Sequence, residues 1–290
     1  MSTQSVLYDA PGPKAKARNV VYTIVFGLAL LAVAWFVYRG LDAKGQFAAA
    51  MWTPFLDADV WENFILPGLE LTLLAAALSI VIALPFGAVL GIGRLSEHRW
   101  VRVPVAVVVE FFRAIPVLIL MIFANQYYAD YTDIGSDNRG LYAVVTGLVL
   151  YNASVLAEVV RAGILSLPKG QSEAAYALGL RKTQIMVSVL LPQAVKVMLP
   201  AILSQLVVIL KDTALGGAAV AAADLLRSGT LISGNYNNAV PTYIVIGAIY
   251  VVINLLLTWA ASLLQKRWSR GSRSTPQVTV TAAVGTATAA

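Results

Sequence analysis

The sequence predicts an all-α integral membrane protein of about six transmembrane helices, and three observations predict it. Of the 290 residues, 59% are hydrophobic and only 12% are charged, where a soluble domain carries about 25% charged residues to cover its surface. The apolar residues fall in long blocks rather than at strand or amphipathic-helix periods, which is the pattern of membrane spans. The loops between the blocks differ systematically in their Lys and Arg content, as a fixed orientation in a bilayer requires.

Composition also removes whole classes of chemistry. There are no cysteines, so thiol redox chemistry, disulfides and Cys-based zinc or iron–sulfur sites are excluded. The single histidine, His98, lies in a polar stretch between two apolar blocks and reads as a solvated loop residue rather than a metal ligand. The net charge of +6 sits in loops beside apolar blocks, so it reports membrane topology rather than nucleic-acid binding.

Taken in order, residues 1–19 form a polar N-terminal segment with Lys14, Lys16 and Arg18 at its end. Residues 20–38 are an uncharged apolar run, about 28 Å long as a helix and long enough to cross a hydrocarbon core. A cleaved signal peptide is the competing reading. The run is longer than an apolar signal core of about 7–15 residues, and the small-residue stretch Ala48-Ala49-Ala50 lies well beyond it. An uncleaved helix is favoured. Residues 39–66 follow as an extracytoplasmic loop bearing Asp42, Asp57, Asp59 and Glu62, with Trp52 and Trp61 as interfacial aromatics.

The remaining spans fall in a core over 67–265, at about 67–92, 103–127, 141–161, 195–222 and 241–264. Pro85 and Pro116 interrupt two of them and predict kinks, since each removes a backbone donor. Such kinked helices belong inside a bundle, where neighbours satisfy the freed carbonyl. Ala75–Ala77 and the pair Gly87 and Gly91 allow close helix approach. The loop 127–140 carries Asp130, Asp133 and Asp137, and the tail 266–290 is Ser/Thr/Ala/Val-rich without helical period, which predicts disorder.

With the N-terminus inside, the inner segments hold Lys14, Lys16, Arg18, Arg94, Arg99, Arg102, Lys169, Arg181, Lys182, Lys196, Lys266, Arg267, Arg270 and Arg273. The outer loops hold only Arg39, Lys44, Arg139 and Arg227. That asymmetry predicts cytoplasmic termini and a multi-pass protein of the cell membrane.

The inner loop 162–195 is too long for a mere connector. It reads as two amphipathic pieces, Gln171–Leu178 stopped by Gly179, then a piece over 183–191 capped by Thr183 and ended by Pro192. The residues alone leave open whether this knob rests on lipid headgroups or docks a partner.

Glu173-Ala174-Ala175 with Gly179 and the later Leu191-Pro192 resembles the EAA loop of permease subunits of ABC importers. The fuller string Gly170-Gln171-x-Glu173-Ala174-Ala175-x-Ala177-Leu178-Gly179 resembles the polar amino acid branch. Glu110-Phe-Phe-Arg113-Ala-Ile-Pro116, Glu158-x-x-Arg161-Ala-Gly163-Ile and Leu210-Lys211-Asp212-Thr213-Ala214-Leu215 extend the likeness across roughly 66–264. The extra first helix is similar to that of actinobacterial glutamate importer permeases. Arg113-Ala-Ile-Pro116 and Lys211-Asp-Thr-Ala-Leu215 each lack a hydroxyl that the family often carries.

The resemblance implies a type I ABC importer permease core with one added N-terminal helix, carrying glutamate. It implies partners: ABC ATPase subunits, a second, related permease forming a heterodimer, and an extracytoplasmic substrate-binding protein. ATP would be bound by the partner, with no cofactor or metal in this chain and no catalytic site of its own. Coupling to the ATPase would run through Gly170, Gln171, Glu173, Ala174, Ala175, Leu178, Gly179 and Pro192.

Ionisable residues within spans cost about 2.5–3.5 kcal/mol each on insertion scales, so each needs a partner or water. Glu110 with Arg113, and Glu158 with Arg161, are spaced to pair on one helix face. Glu158–Arg161 reads as local neutralisation, while Glu110–Arg113 is equally a lining of a substrate path. Lys211, Asp212 and Thr213 are the leading polar candidates for contact with a zwitterion. Asn125 joins them on the path, and Gln126, Asn152, Ser204 and Gln205 are weaker candidates.

Enzymatic signals are missing. Gly179-Leu-Arg-Lys182-Thr183 lacks the glycines of a phosphate-binding loop, and Gly91-Ile-Gly93 has neither a preceding strand nor a third glycine. The rival is a secondary transporter or channel working without an ATPase, which would usually show an inverted repeat. None is evident.

Overall fold

The computed structural model describes residues 12–269, so residues 1–11 and the tail from Arg270 onward lie outside the described residues. Every regular element among the described residues is helical. Five helices are long and apolar enough to cross a membrane, or six when one sharply bent pair counts as a single span.

The first helix, α1, runs Pro13–Asp42 and encloses the predicted span. Pro13 occupies its first turn, where a missing N–H costs nothing. None of its residues is buried. The segment after it, expected as a loop, carries short helical turns. Two 3-10 turns, Ala49–Met51 and Thr53–Leu56, fold back on the bundle. Gln46 Nε2 donates to Asn237 O at 3.0 Å, Asn238 Nδ2 to Met51 O at 2.9 Å, and Trp61 Nε1 to Phe55 O at 2.9 Å.

Helix α2 spans Ala58–Gly93, starting well before the predicted Pro67. Asp57 caps it by accepting from Asp59 N at 3.1 Å. Pro67 has no N–H to give, and the turn before it, Trp61–Ile65, widens into a π-helical turn. Pro85 lies within this helix without ending it.

The third predicted span is two helices. Helix α3, Arg99–Ala114, and helix α4, Val117–Tyr131, meet at a bend of 99°. The proline does more than kink the chain. Pro116 pushes the preceding Ile115 out of helical conformation, to φ −90° and ψ 129°. The single span expected over 103–127 is thereby replaced by an elbow.

Helix α5, Ser136–Leu165, is the hub, packed on α2, α3, α4 and the later α7, Lys182–Ala219. Its lining of small residues brings backbones together. A side chain at Gly87 would strike Leu156 and Ala153, and one at Gly91 would strike Ala157 and Val160. Gly147 is closed off by Met121, Gly163 by Met198 and Gly216 by Val144. At mid-depth, Gln205 Nε2 of α7 donates to the fully buried Asn152 Oδ1 at 2.6 Å.

Between α5 and α7 stands α6, Lys169–Ala177. Helix α7 begins earlier than the predicted 195 and is not stopped by Pro192. The π-helical turn Ile185–Leu190 just before that proline absorbs the missing donor, as at Pro67. Sequence reading did not anticipate α8, Leu225–Tyr236. Asp224 fixes it by accepting from Arg227 N at 2.8 Å and, from the end of α7, from Gly217 N at 2.9 Å. Burial pushes the Asp224 carboxyl up to about 6, against the pull of those two amides. Helix α9, Ala239–Ser269, is the last element among the described residues and runs past the tail boundary expected at 266.

Close packing at Gly163 has a measurable consequence. Gly163→Leu must displace Met198 and should lower stability by about 1–3 kcal/mol, as overpacking does. Gly247→Leu, with nothing within 4 Å, should be neutral. Thermal melts of the two variants in detergent compare them directly, and equal melting would contradict this packing.

Candidate functional site

Helix α6 projects from the end of the bundle where α5 stops and α7 begins. Its closing turn is a Schellman motif: Leu180 N donates to Ala175 O at 3.2 Å and Gly179 N to Tyr176 O at 2.9 Å. That turn needs a left-handed residue, and Gly179 supplies it at φ +76°. Ala175 is buried and holds α6 to its neighbours. Glu173, Ala174, Tyr176, Leu178 and Gly179 face outward, with Leu178 81% exposed.

Of the other residues singled out there, Gly170 is exposed with open space around it. Gln171 is half-buried, its Oε1 buried without a hydrogen-bond partner. Pro192 is exposed on α7, past the π-helical turn. The cap of α7 is Arg181 rather than the expected Thr183: Arg181 N donates to Gln184 Oε1 at 2.8 Å. Lys182 Nζ then reaches the turn after α2, bonding Leu95 O at 3.1 Å and Glu97 Oε1 at 3.0 Å.

Next to that turn lies a charge cluster whose pairing differs from the expected one. Glu158 and Arg161 do pair along α5, with Arg161 Nε 3.1 Å from both carboxylate oxygens. Glu110 does not pair with Arg113. It accepts from Arg94 Nη2 at 2.9 Å, while Arg94 Nη1 donates to Glu158 Oε2, also at 2.9 Å. Arg113 Nη1 stands 4.0 Å from the same Glu158 oxygen. The reason is positional: the end of α2 places Arg94 between two helices, a reach that local i,i+3 spacing does not reveal.

The elbow between α3 and α4 opens a cavity of about 580 Å³. Arg113, Pro116, Tyr151, Gln205 and Asp212 are among its lining residues. It therefore offers a guanidinium and a carboxylate from different helices, with an amide and a phenol beside them. That set complements a small zwitterion, whose carboxylate and ammonium need opposite partners. Structure thus brings together Arg113 and Asp212. It does not bring Glu110, Asn125, Lys211 or Thr213 to this cavity. Lys211 lines two cavities on the α9 side of α7, because consecutive helical residues diverge. Thr213 is buried and donates to Leu210 O at 2.7 Å, and Asn125 is half-buried on α4.

Sequence reasoning missed Arg94 and Tyr151. Arg94 counts as one more loop cation until the end of α2 is located, and Tyr151 has no charge to mark it within an apolar run.

Comparison with known proteins places the chain among membrane permeases. Residues 83–270 match the family described as binding-protein-dependent transport system inner membrane component. The chain is 47% identical over 231 residues to the glutamate transport system permease protein GluD of Corynebacterium glutamicum, covering 80% of this chain and 84% of that one. It is 31% identical to the probable glutamine ABC transporter permease protein GlnP of Bacillus subtilis, covering 72% and 94%. Among solved structures, an amino acid ABC transporter crystallised with histidines matches with a TM-score of 0.64 at 28% identity, covering 71% of this chain and 95% of that one.

The closing turn of α6 is testable by itself. An L-residue in the left-handed region costs about 1–2 kcal/mol, so Gly179→Ala should speed amide exchange across 174–180 by roughly five- to thirtyfold. Gly170→Ala, at ordinary φ, should leave exchange there unchanged. Hydrogen-exchange mass spectrometry reads both, and equal exchange in the two variants would rule out a strained turn.

Proposed function

The chain belongs to the family of binding-protein-dependent transport system inner membrane components, and from that premise we propose that it is the transmembrane permease of an ATP-driven importer of polar amino acids, with glutamate as its cargo. The observation that carries the reading is α6: a short helix held out from the bundle, closed by Gly179, with Leu178 and Tyr176 exposed beside Ala174. A helix presented in this way suits a groove on a separate subunit. Gly170, Gln171, Glu173, Ala174, Ala175, Leu178, Gly179 and Pro192 form or support that contact. The chain supplies no ATP chemistry; two ATPase subunits do.

The remaining partners follow from the same reading. A second, related permease completes the pore, and an extracytoplasmic binding protein delivers substrate to the acidic outer loops. Both termini lie in the cytoplasm, which places α6 and the basic inner segments on the ATPase side. Glutamate is favoured by the likeness to the Corynebacterium permease. The elbow cavity suits it: Arg113 faces a carboxylate and Asp212 faces the α-ammonium. Closure of the ATPases on ATP pushes α6, and the bundle alternates between inward-open and outward-open.

Two measurements test this. The chain has no native cysteine, so Ala174→Cys gives a single reactive thiol. Its bifunctional cross-linker should capture an ATPase subunit in intact cells, and capture of none would remove the coupling role. In glutamate uptake, Arg113→Gln and Asp212→Asn should each reduce transport about tenfold or more, the equivalent of one charged hydrogen bond. Loss confined to Lys211→Gln would move the path to the α7–α9 side.

A further inference from the structure

We propose that Arg94 is a positioning residue that couples α6 to the elbow cavity by deciding which guanidinium holds the Glu158 carboxylate. The proposal rests on the importer reading above. Three guanidiniums, Arg94, Arg113 and Arg161, surround two carboxylates, Glu110 and Glu158. One cation is therefore always short of a full partner. Arg161 sits on α5 with Glu158 and moves with it. The contest is between Arg94, from the end of α2, and Arg113, from the end of α3.

In this structure Arg94 wins. Its side chain is only 12% exposed, and its fork gives one nitrogen to Glu110 and the other to Glu158, each at 2.9 Å. Arg113 is left 4.0 Å from Glu158, beyond hydrogen-bond distance, and lines the cavity together with Asp212. The contact that keeps Arg113 available to the cavity is thus the one Arg94 makes.

Arg94 is also mechanically tied to α6. The residue after it, Leu95, accepts from Lys182 Nζ, and Glu97 pairs with the same ammonium. Lys182 opens α7 just past the turn in which Leu180 N bonds back to Ala175 O of α6. A displacement of α6 therefore pulls directly on the turn that carries Arg94. When Arg94 withdraws from Glu158, Oε2 keeps only Arg161 Nε and is within about 1 Å of hydrogen-bond reach of Arg113. Arg113 then closes on Glu158 and leaves the cavity with Asp212 and no cation, so a bound carboxylate loses its partner. The motor stroke and release of an anionic cargo become one event.

The test is the complete transporter with its binding protein in proteoliposomes, with glutamate as the probe. Arg94→Gln removes the charge, and Arg94→Lys keeps the charge without the two-pronged fork. Both should raise ATP hydrolysed per glutamate imported by about tenfold, within the roughly 5–150-fold span of inter-site couplings. Glu158→Gln should do the same, and the double variant Arg94→Gln/Glu158→Gln should raise the ratio by less than the product of the two single effects, because both changes break the Arg94–Glu158 pair. A purely structural role would lower hydrolysis and import together and leave their ratio unchanged. An unchanged ratio in Arg94→Lys, which keeps the charge, or additive losses in the double variant overturn the Arg94 role alone. Import by the wild type without any ATPase subunit overturns the importer reading and this proposal with it.

Discussion

A carboxylate placed among lipid-embedded helices must find cations, and in this bundle Glu158 is where that demand is met. It sits on α5, the helix against which α2, α3, α4 and α7 pack. It takes Arg161 from its own helix and Arg94 from the end of α2, with Arg113 at the margin. Each uncompensated charge would cost about 2.5–3.5 kcal/mol or more in the membrane. That cost fixes the relative placement of three helix ends more tightly than apolar packing, which in lipid has no water to escape from. The apolar contacts then follow a different rule: glycines at 87, 91, 147 and 163 let backbones and large side chains approach, and a single amide pair, Asn152 with Gln205, joins α5 to α7.

The prolines show how backbone donors are accounted for in such a place. Pro67 and Pro192 both follow a π-helical turn, and both helices run on. At Pro116 there is no such turn; Ile115 goes extended and the chain breaks into an elbow of 99°. The same residue type therefore gives continuity at Pro67 and Pro192, and within a helix at Pro85, yet a corner at Pro116. The corner is where polar side chains gather. Irregular backbone at membrane depth is tolerated where it lines a cavity, and the cavity with Arg113 and Asp212 lies at that point.

The broad architecture was legible because it depends on composition and on period. Uncharged runs located the spans and Lys/Arg asymmetry proposed their orientation, while Gly179 after an Ala-rich stretch announced a short helix with a left-handed end. What was illegible depended on where helices meet. Glu110 and Arg113 have ideal spacing to pair, yet a better partner arrives from a helix end far away in sequence. Thr183 is a good cap by residue type, yet Arg181 holds that position because Gln184 bonds back to it. Helix α8 escaped notice because it is short and mixed in polarity, and its existence turns on Asp224 reaching Gly217. Lys211 and Asp212 are adjacent in sequence and face different cavities.

These features bear on how a helix protruding at one end could affect a cavity inside. Helices α5 and α7 flank α6, and both line the elbow cavity, through Tyr151 and through Gln205 and Asp212. Beside them runs a series of short polar links: the α6 closing turn, Lys182, the turn at 95–97, Arg94, and then the shared carboxylate. Each link is a hydrogen bond or ion pair with a geometric tolerance of a few tenths of an ångström, so a displacement at one end is felt at the next. The small-residue seam between α2 and α5, where Gly87 and Gly91 meet Leu156, Ala157 and Val160, holds those two helices in close contact beside the polar chain.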